Sequence, residues 1–234
     1  MRPVKGEWIV VDEAYAGQLA EKARLLAERR ADVLAALEGS EAAQEEALGA
    51  VLERLPSGFH RHRDAVRRPD GVTVRLDGPP FDVIARLVQE DVLICERRGG
   101  AHVLTAGLLC FPASWTLREK LGRPLARIHA PVPAYDAALA ARVDRLFDRT
   151  RPGRPMWRAN ALAYADPSLY QPRSETEPPR PAVRAPYLRS ERQTVLRLPR
   201  TDAILFAVHT YVLHAGDLSI DQRESCPLPL AYDG

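Results

Sequence analysis

The chain has 234 residues, 46% of them hydrophobic and 27% charged, with a formal net charge of +2. That supplies one sizeable core and a single domain with extensions, and it excludes disordered and fibrous classes. The charge is too mild to indicate nucleic acid or an anionic membrane surface.

No run approaches the ~20 apolar residues of a membrane span, and the N-terminus MRPVKGEWIVVDEAY has no apolar signal core, so a cytoplasmic location is expected. Cys95, Cys110 and Cys226 are far apart and lack CxxC spacing, the pattern of reduced core cysteines.

From Asp12 onward, Tyr15, Leu19, Ala23, Leu26, Val33, Leu34 and Leu37 recur at helical spacing and predict one long amphipathic helix, ended by Gly39. Ser40 is placed to cap a second helix with Ala47, Leu48, Val51, Leu52 and Leu55 on one face, stopped at Pro56. Together they form a helical hairpin over residues 1–56 that needs a partner surface. His60, Arg61, His62, Arg63, Arg67 and Arg68 crowd into residues 57–71 without the interleaved aromatic residues that single-strand binding favours, so a solvated loop is expected. Val72, Val74 and Leu76 alternate as a short strand. Gly78, Pro79 and Pro80 then turn the chain into a helix carrying Phe81, Ile84, Leu87 and Val88.

Residues 92–95 and 103–111 read as two antiparallel strands joined at Arg97, Arg98, Gly99 and Gly100. Residues 111–135 hold the densest signals. Ser114 or Thr116 can cap a short helix with Leu117 and Leu121, Thr116 and Glu119 have capping-box spacing, and Gly122 ends it. Pro124, Pro131 and Pro133 then deny the chain a continuous helix, which sets His129 on a stiff segment. A stiff backbone holds an imidazole at a fixed angle, as an axial metal ligand or a catalytic base requires; the same residues also suit a loop that simply packs on the core.

Asp136 caps a helix with Tyr135, Leu139, Val143, Leu146 and Phe147, closed by Pro152 and Pro155. Residues 157–164 form a third strand with Arg158 and Asn160 on one face. Residues 171–186 are a proline-rich excursion, residues 192–198 and 203–213 a final antiparallel pair, and residues 214–234 an irregular tail. The outline is α+β: one antiparallel sheet of about five strands with helices on one face, a core over residues 57–213 able to curve round a ligand in the manner of PAS domains.

Several long phrases, LVQEDVLICERR, LLCFPASWTLREKLGRPLARIHAPVPAY, VDRLFDRTRPGRPMWRAN and LRSERQTVLRLPRTDAILFAVHTYV with VDEAYAGQLAEKARLLAERR, together resemble the haem-dependent oxidative N-demethylase family. The resemblance implies a PAS-like domain binding haem b and oxidising a small secondary amine. It implies electrons from NADPH by way of a reductase partner carrying FMN and a 2Fe-2S cluster. No nucleic-acid or membrane partner is implied, and the oligomeric state is open. After WRAN the chain continues ALAYAD where a bulkier aromatic residue is expected, which implies a more open pocket.

On that resemblance the iron ligand is His129, in GRPLARIHAPVP, with His209 as rival because it shares a strand face with Leu205 and Ala207. Propionate partners should be arginines on rigid elements, here Arg158 and Arg192, with Arg123 and Lys120 flanking the central loop. An ammonium substrate needs a carboxylate. Glu191 with Gln193, in SERQT, is preferred over Glu90 and Asp91, in QED. Besides the monooxygenase, a PAS-like haem or small-ligand sensor without turnover stays open, as does a haem-free binding module. No dinucleotide fingerprint, Ser-His-Asp set or HExxH is present, so any redox role borrows its electrons.

Overall fold

The computed structural model describes residues 1–128, 137–178, 185–226, 228, 230 and 231, with backbone only for 137–141. In chain order the elements are β1 (Arg2–Pro3), α1 (Tyr15–Glu28), α2 (Arg30–Val33), β2 (Leu34–Ala36), α3 (Glu41–Glu53), β3 (His60–Arg61), β4 (Ala65–Arg67), β5 (Thr73–Arg75) and α4 (Pro80–Leu87). There follow β6 (Asp91–Arg98), β7 (Ala101–Leu108), α5 (Leu117–Lys120), α6 (Leu125–Ile128), α7 (Ala137–Arg149), β8 (Met156–Tyr164), β9 (Tyr187–Arg197), β10 (Ile204–His214) and α8 (Ile220–Ser225).

The main sheet is antiparallel throughout and runs β1-β8-β9-β10-β6-β7-β2; β3, β4 and β5 form a small second sheet. The α+β reading therefore stands, with seven strands in place of about five. Gly99 and Gly100 both take positive φ, 57° and 85°, in the β6–β7 connection, the geometry whose twist matches two paired strands.

Strand alternation divides the core in two. Leu93, Cys95, Leu104, Val195 and Ile204 point to one side, the front, and pack with Leu117 of α5, Leu125 of α6 and Phe147 of α7. Val92, Ile94, Ala106, Leu108, Leu205 and Ala207 point to the back and meet Leu25 of α1, Ala47 and Val51 of α3, and Phe81, Ile84 and Leu87 of α4. Helices thus cover both faces, where one was expected. A sheet whose central strands are apolar on both sides has to be buried on both.

Three local readings change. The long N-terminal helix ends at Glu28, and after one further turn the chain becomes β2, which pairs Leu34 with Leu108 and sends the Leu37 amide to Thr105 O at 2.8 Å. The unpaired edge of β7 offers backbone bonds that outweigh helical periodicity. Residues 57–71 are loop for most of their length, as expected, but add two short strands, β3 and β4; Val66 is buried in the back core while Arg61, Arg63 and Arg67 stay exposed. In the tail, Ser219 and Gln222 form a reciprocal capping box on α8.

Gly107 lies where the front side chains close most tightly. A Cβ there would stand 2.7 Å from Leu117 Cδ1 and 2.8 Å from Leu93 Cδ2. Gly107→Ala should therefore lower the urea-unfolding free energy by about 1–3 kcal/mol through overpacking. Gly17→Ala in α1, with nothing within 4 Å, should leave it unchanged or raise it. Equal effects at the two sites would contradict this packing.

Candidate functional site

The register of β9 assembles a polar strip on the front. Arg158 lies opposite Gln193, Asn160 opposite Glu191 and Leu162 opposite Arg189, so Arg158, Asn160, Arg189, Glu191 and Gln193 project to the side that Val195 shares. Arg158 Nε donates to Gln193 Oε1 at 2.8 Å, and Gln193 Nε2 donates to Glu191 Oε2 at 3.2 Å. Asn160 Nδ2 donates to the same oxygen at 3.0 Å. Arg189 reaches Glu191 Oε1 with Nε at 3.4 Å and a terminal nitrogen at 3.3 Å. Four donors thus surround the Glu191 carboxylate, which is 7% exposed.

Arg189, 1% exposed, also ties the strip to two other segments, donating to Leu169 O at 2.9 Å and Phe111 O at 2.6 Å. Sequence reasoning passed over it although the period-two pattern of LRSERQT sets Arg189, Glu191 and Gln193 on one face. Thr210, paired with Glu191 from β10, is 1% exposed, and its Oγ1 has no hydrogen-bond partner among the described residues. Arg158 and Asn160, legible as sharing a face, are brought together with Glu191 and Gln193.

Arg192 is not part of this group. It projects to the back, donates to Trp8 O at 3.0 Å and stacks over Trp157 with its guanidinium carbon 5.4 Å from the ring centre. Arg123 donates to Glu119 O at 3.2 Å near β7, four strand spacings or roughly 19 Å from Arg158 on β8. Lys120 is 5% exposed; its Nζ donates to Ile128 O at 2.7 Å and pairs with Glu175.

The expected capping box of α5 is replaced by a tether. Thr116 Oγ1 donates to Glu119 Oε2 at 2.6 Å, and Glu119 also accepts from Ser174 Oγ at 2.6 Å and the Glu175 amide at 3.1 Å. His129 lies outside the described residues. The residue before it, Ile128, packs on the front apolar cluster.

His209 faces the back and is 1% exposed, with Nε2 3.0 Å from Asp12 Oδ2 and Nδ1 3.3 Å from Glu90 Oε1. Burial would lower its pKa, but the hydrogen bonds with Asp12 and Glu90 outweigh it and raise it to about 9. An imidazolium that spends both nitrogens on carboxylates has no lone pair for a metal. Asp12 is held below the usual carboxylate range: burial, which would raise it, is outweighed by the bonds from His209 and Gln89.

Glu90 also accepts the Val10 amide at 2.8 Å, while Gln89 Nε2 donates to Asp12 Oδ1 at 2.7 Å. Asp91 accepts the Phe111 amide at 2.6 Å and faces Lys22 Nζ at 3.4 Å. Burial pushes the Asp91 carboxyl up, against the pull of Lys22. Glu90 is therefore an anchor on the back, whereas Asp91, paired with Val208 at the end of the sheet, meets the front strip only through Phe111, whose carbonyl accepts from Arg189. Among the described residues, no three His, Cys, Asp or Glu side chains gather to hold a metal ion.

Compared with known protein families, residues 3–227 match the model described as haem-dependent oxidative N-demethylase, alpha subunit-like.

The His209 cluster sets a pH dependence. Its pKa is raised in the folded state, so its contribution to stability is full below about pH 6.5 and is lost as pH rises through about 9, on the order of 3 kcal/mol in all. The difference in unfolding free energy between the wild type and His209→Gln should shrink by that amount from about pH 6 to about pH 10. A difference constant across that range would contradict the doubly bonded imidazolium.

Proposed function

Because the chain belongs to the haem-dependent oxidative N-demethylase, alpha subunit-like, family, we propose that it binds haem b on the front of β8, β9 and β10 and oxidises a small methylated secondary amine with O2. Its electrons come from NADPH through a reductase partner bearing FMN and a 2Fe-2S cluster.

The observation that carries the haem assignment is the make-up of the front surface. Leu93, Val195, Phe206 and Val208 give an apolar ground, and the polar strip beside it ends in the exposed Arg158. Among the described residues Arg158 commits only Nε, to Gln193, so its two terminal nitrogens can take a propionate as a fork. Thr210 Oγ1, unpartnered among the described residues, is a buried polar atom that a bound molecule would satisfy.

His129 as iron ligand is supported by its chain neighbour. Ile128 is fastened to the front by Lys120, and α6 and α7, which bracket residues 129–136, both pack on the front. Arg192, on the back and bonded to Trp8 O, is left out of the haem contacts.

Haem, when bound, supplies the one-electron and O2 chemistry. The chain's own residues set the polarity around it. Arg189 fixes the Glu191 carboxylate from one side, and the neutral amides of Asn160 and Gln193 hold Oε2 from the other. A protonated amine arriving there replaces a neutral donor by a cationic one, adding a charge–charge attraction that an amide lacks. Glu191 then holds the amine N–H and can take its proton, with Gln193 turning to follow.

A second reading follows from the same four donors: a carboxylate already satisfied suits a haem-binding sensor without turnover.

Protein expressed with ample haem supply should show a Soret band that His129→Ala abolishes or shifts and His209→Gln keeps. No band after reconstitution, or one indifferent to His129→Ala, would contradict the assignment. With a reductase supplied, dimethylamine-dependent NADPH consumption separates the enzyme from the sensor.

A further inference from the structure

Away from the polar strip, a cavity of about 250 Å³ opens between α2, the end of β7, α5 and residues 170–172. Its lining includes Leu109 and Leu117, both members of the front apolar cluster, together with Trp115, Tyr170, Asp32 and Arg118. The volume suits a molecule of a few heavy atoms, smaller than most drug-sized ligands.

Two of the three charges lining this cavity have no partner among the described residues. Glu119, also in the lining, is consumed by Thr116, Ser174 and the Glu175 amide. Asp32 and Arg118 differ: both are exposed at the cavity mouth, and among the described residues neither side chain has a hydrogen-bond or ion-pair partner, nor do they pair with each other. Among the described residues this cavity therefore borders an anion and a cation, both exposed, more than an ion-pair distance apart.

Asp32 lies close enough to Tyr170 to help burial raise its phenol pKa, which fixes the anion at that wall. Arg29 sits over the Tyr170 ring, 5.6 Å from its centre. That ring already has its cation; among the described residues no cation lies over Trp115, the other aromatic wall.

We propose that this cavity binds a small zwitterion, an N-methylated amino acid, with its ammonium on Asp32 and Trp115 and its carboxylate on Arg118. The complementarity is of three kinds: a carboxylate and an indole face for a methylated ammonium, a guanidinium fork for a carboxylate, and a leucine floor for the methyl groups. The choice of a methylated amine rests on the demethylase reading; the two opposed charges do not. A simple amine lacks the group that Arg118 would hold. The site thus selects amino-acid-derived amines over dialkylamines.

The test is calorimetric and needs no turnover. N,N-dimethylglycine is titrated into the full chain, with dimethylammonium and acetate as half-ligands. Dimethylglycine should bind with a millimolar or tighter Kd, and both half-ligands should bind about tenfold more weakly or worse. Asp32→Asn and Arg118→Gln should each weaken dimethylglycine about tenfold, while dimethylammonium should respond to Asp32→Asn alone.

Both side chains lie outside the apolar core, so loss of fold does not confound the result; an unchanged thermal unfolding curve verifies this. Absence of dimethylglycine binding, binding indifferent to both substitutions, or equal binding of dimethylammonium would each overturn the proposal. A Soret band with no zwitterion binding sinks this cavity alone. Zwitterion binding without a Soret band sinks the haem reading alone.

Discussion

Everything at the candidate site depends on the register of β9 with its two neighbours. Eleven residue pairs join it to β10, from Arg197 with Ile204 to Tyr187 with His214, and nine more join it to β8. Because side chains alternate, a slip of one residue would carry Arg189, Glu191 and Gln193 to the back and bring Arg192 and Thr194 to the front. The apolar alternation holds the register in place. Val195 is buried in the front cluster, while Leu205 and Ala207 of β10 are buried in the back one.

The two faces use charge differently. On the back, polar residues are structural fasteners: Asp12, Gln89, Glu90 and His209, with Arg192 on Trp8 O, bind the N-terminal segment across β9, β10 and the start of β6. Each buried charge there has an opposite charge or a backbone group to offset its desolvation. On the front, the chain of donors from Arg158 through Gln193 to Glu191 begins at a side chain that is exposed. Unspent donors at a half-open surface mark a place for a ligand, whereas satisfied groups in a closed core do not.

Much of this was legible in the sequence. The β6–β7 hairpin, α4, α7 and the final antiparallel pair follow from period-two and helical patterns with glycine and proline at the turns. The grouping of Arg158 and Asn160 follows from strand alternation; Glu191 and Gln193 are legible only as neighbours in SERQT, because a strand begun at Arg192 leaves Glu191 outside it and Arg192 unseparated from them.

The rest depends on contacts distant in sequence, which local patterns do not carry. Leu34 and Leu37 fit a helical stripe, and only the open edge of β7 makes residues 34–36 a strand. Glu119 has the spacing of a capping box, yet Ser174 and Glu175, 55 and 56 residues away, take its carboxylate. Strand alternation puts His209 on one face with Leu205 and Ala207, but its two carboxylate partners come from Asp12 and Glu90, distant in sequence.

The central claim is that haem lies on the front of β8, β9 and β10, and haem affinity in Arg158→Ala and Arg192→Ala tests it most directly. The two arginines sit on adjacent strands of one sheet and differ chiefly in the face they occupy. Loss of a propionate contact should weaken haem binding about tenfold in Arg158→Ala, with Arg192→Ala close to the wild type once both are shown to be folded. Equal affinity for the two variants, or the larger loss in Arg192→Ala, would move the cofactor off the front face and contradict the account.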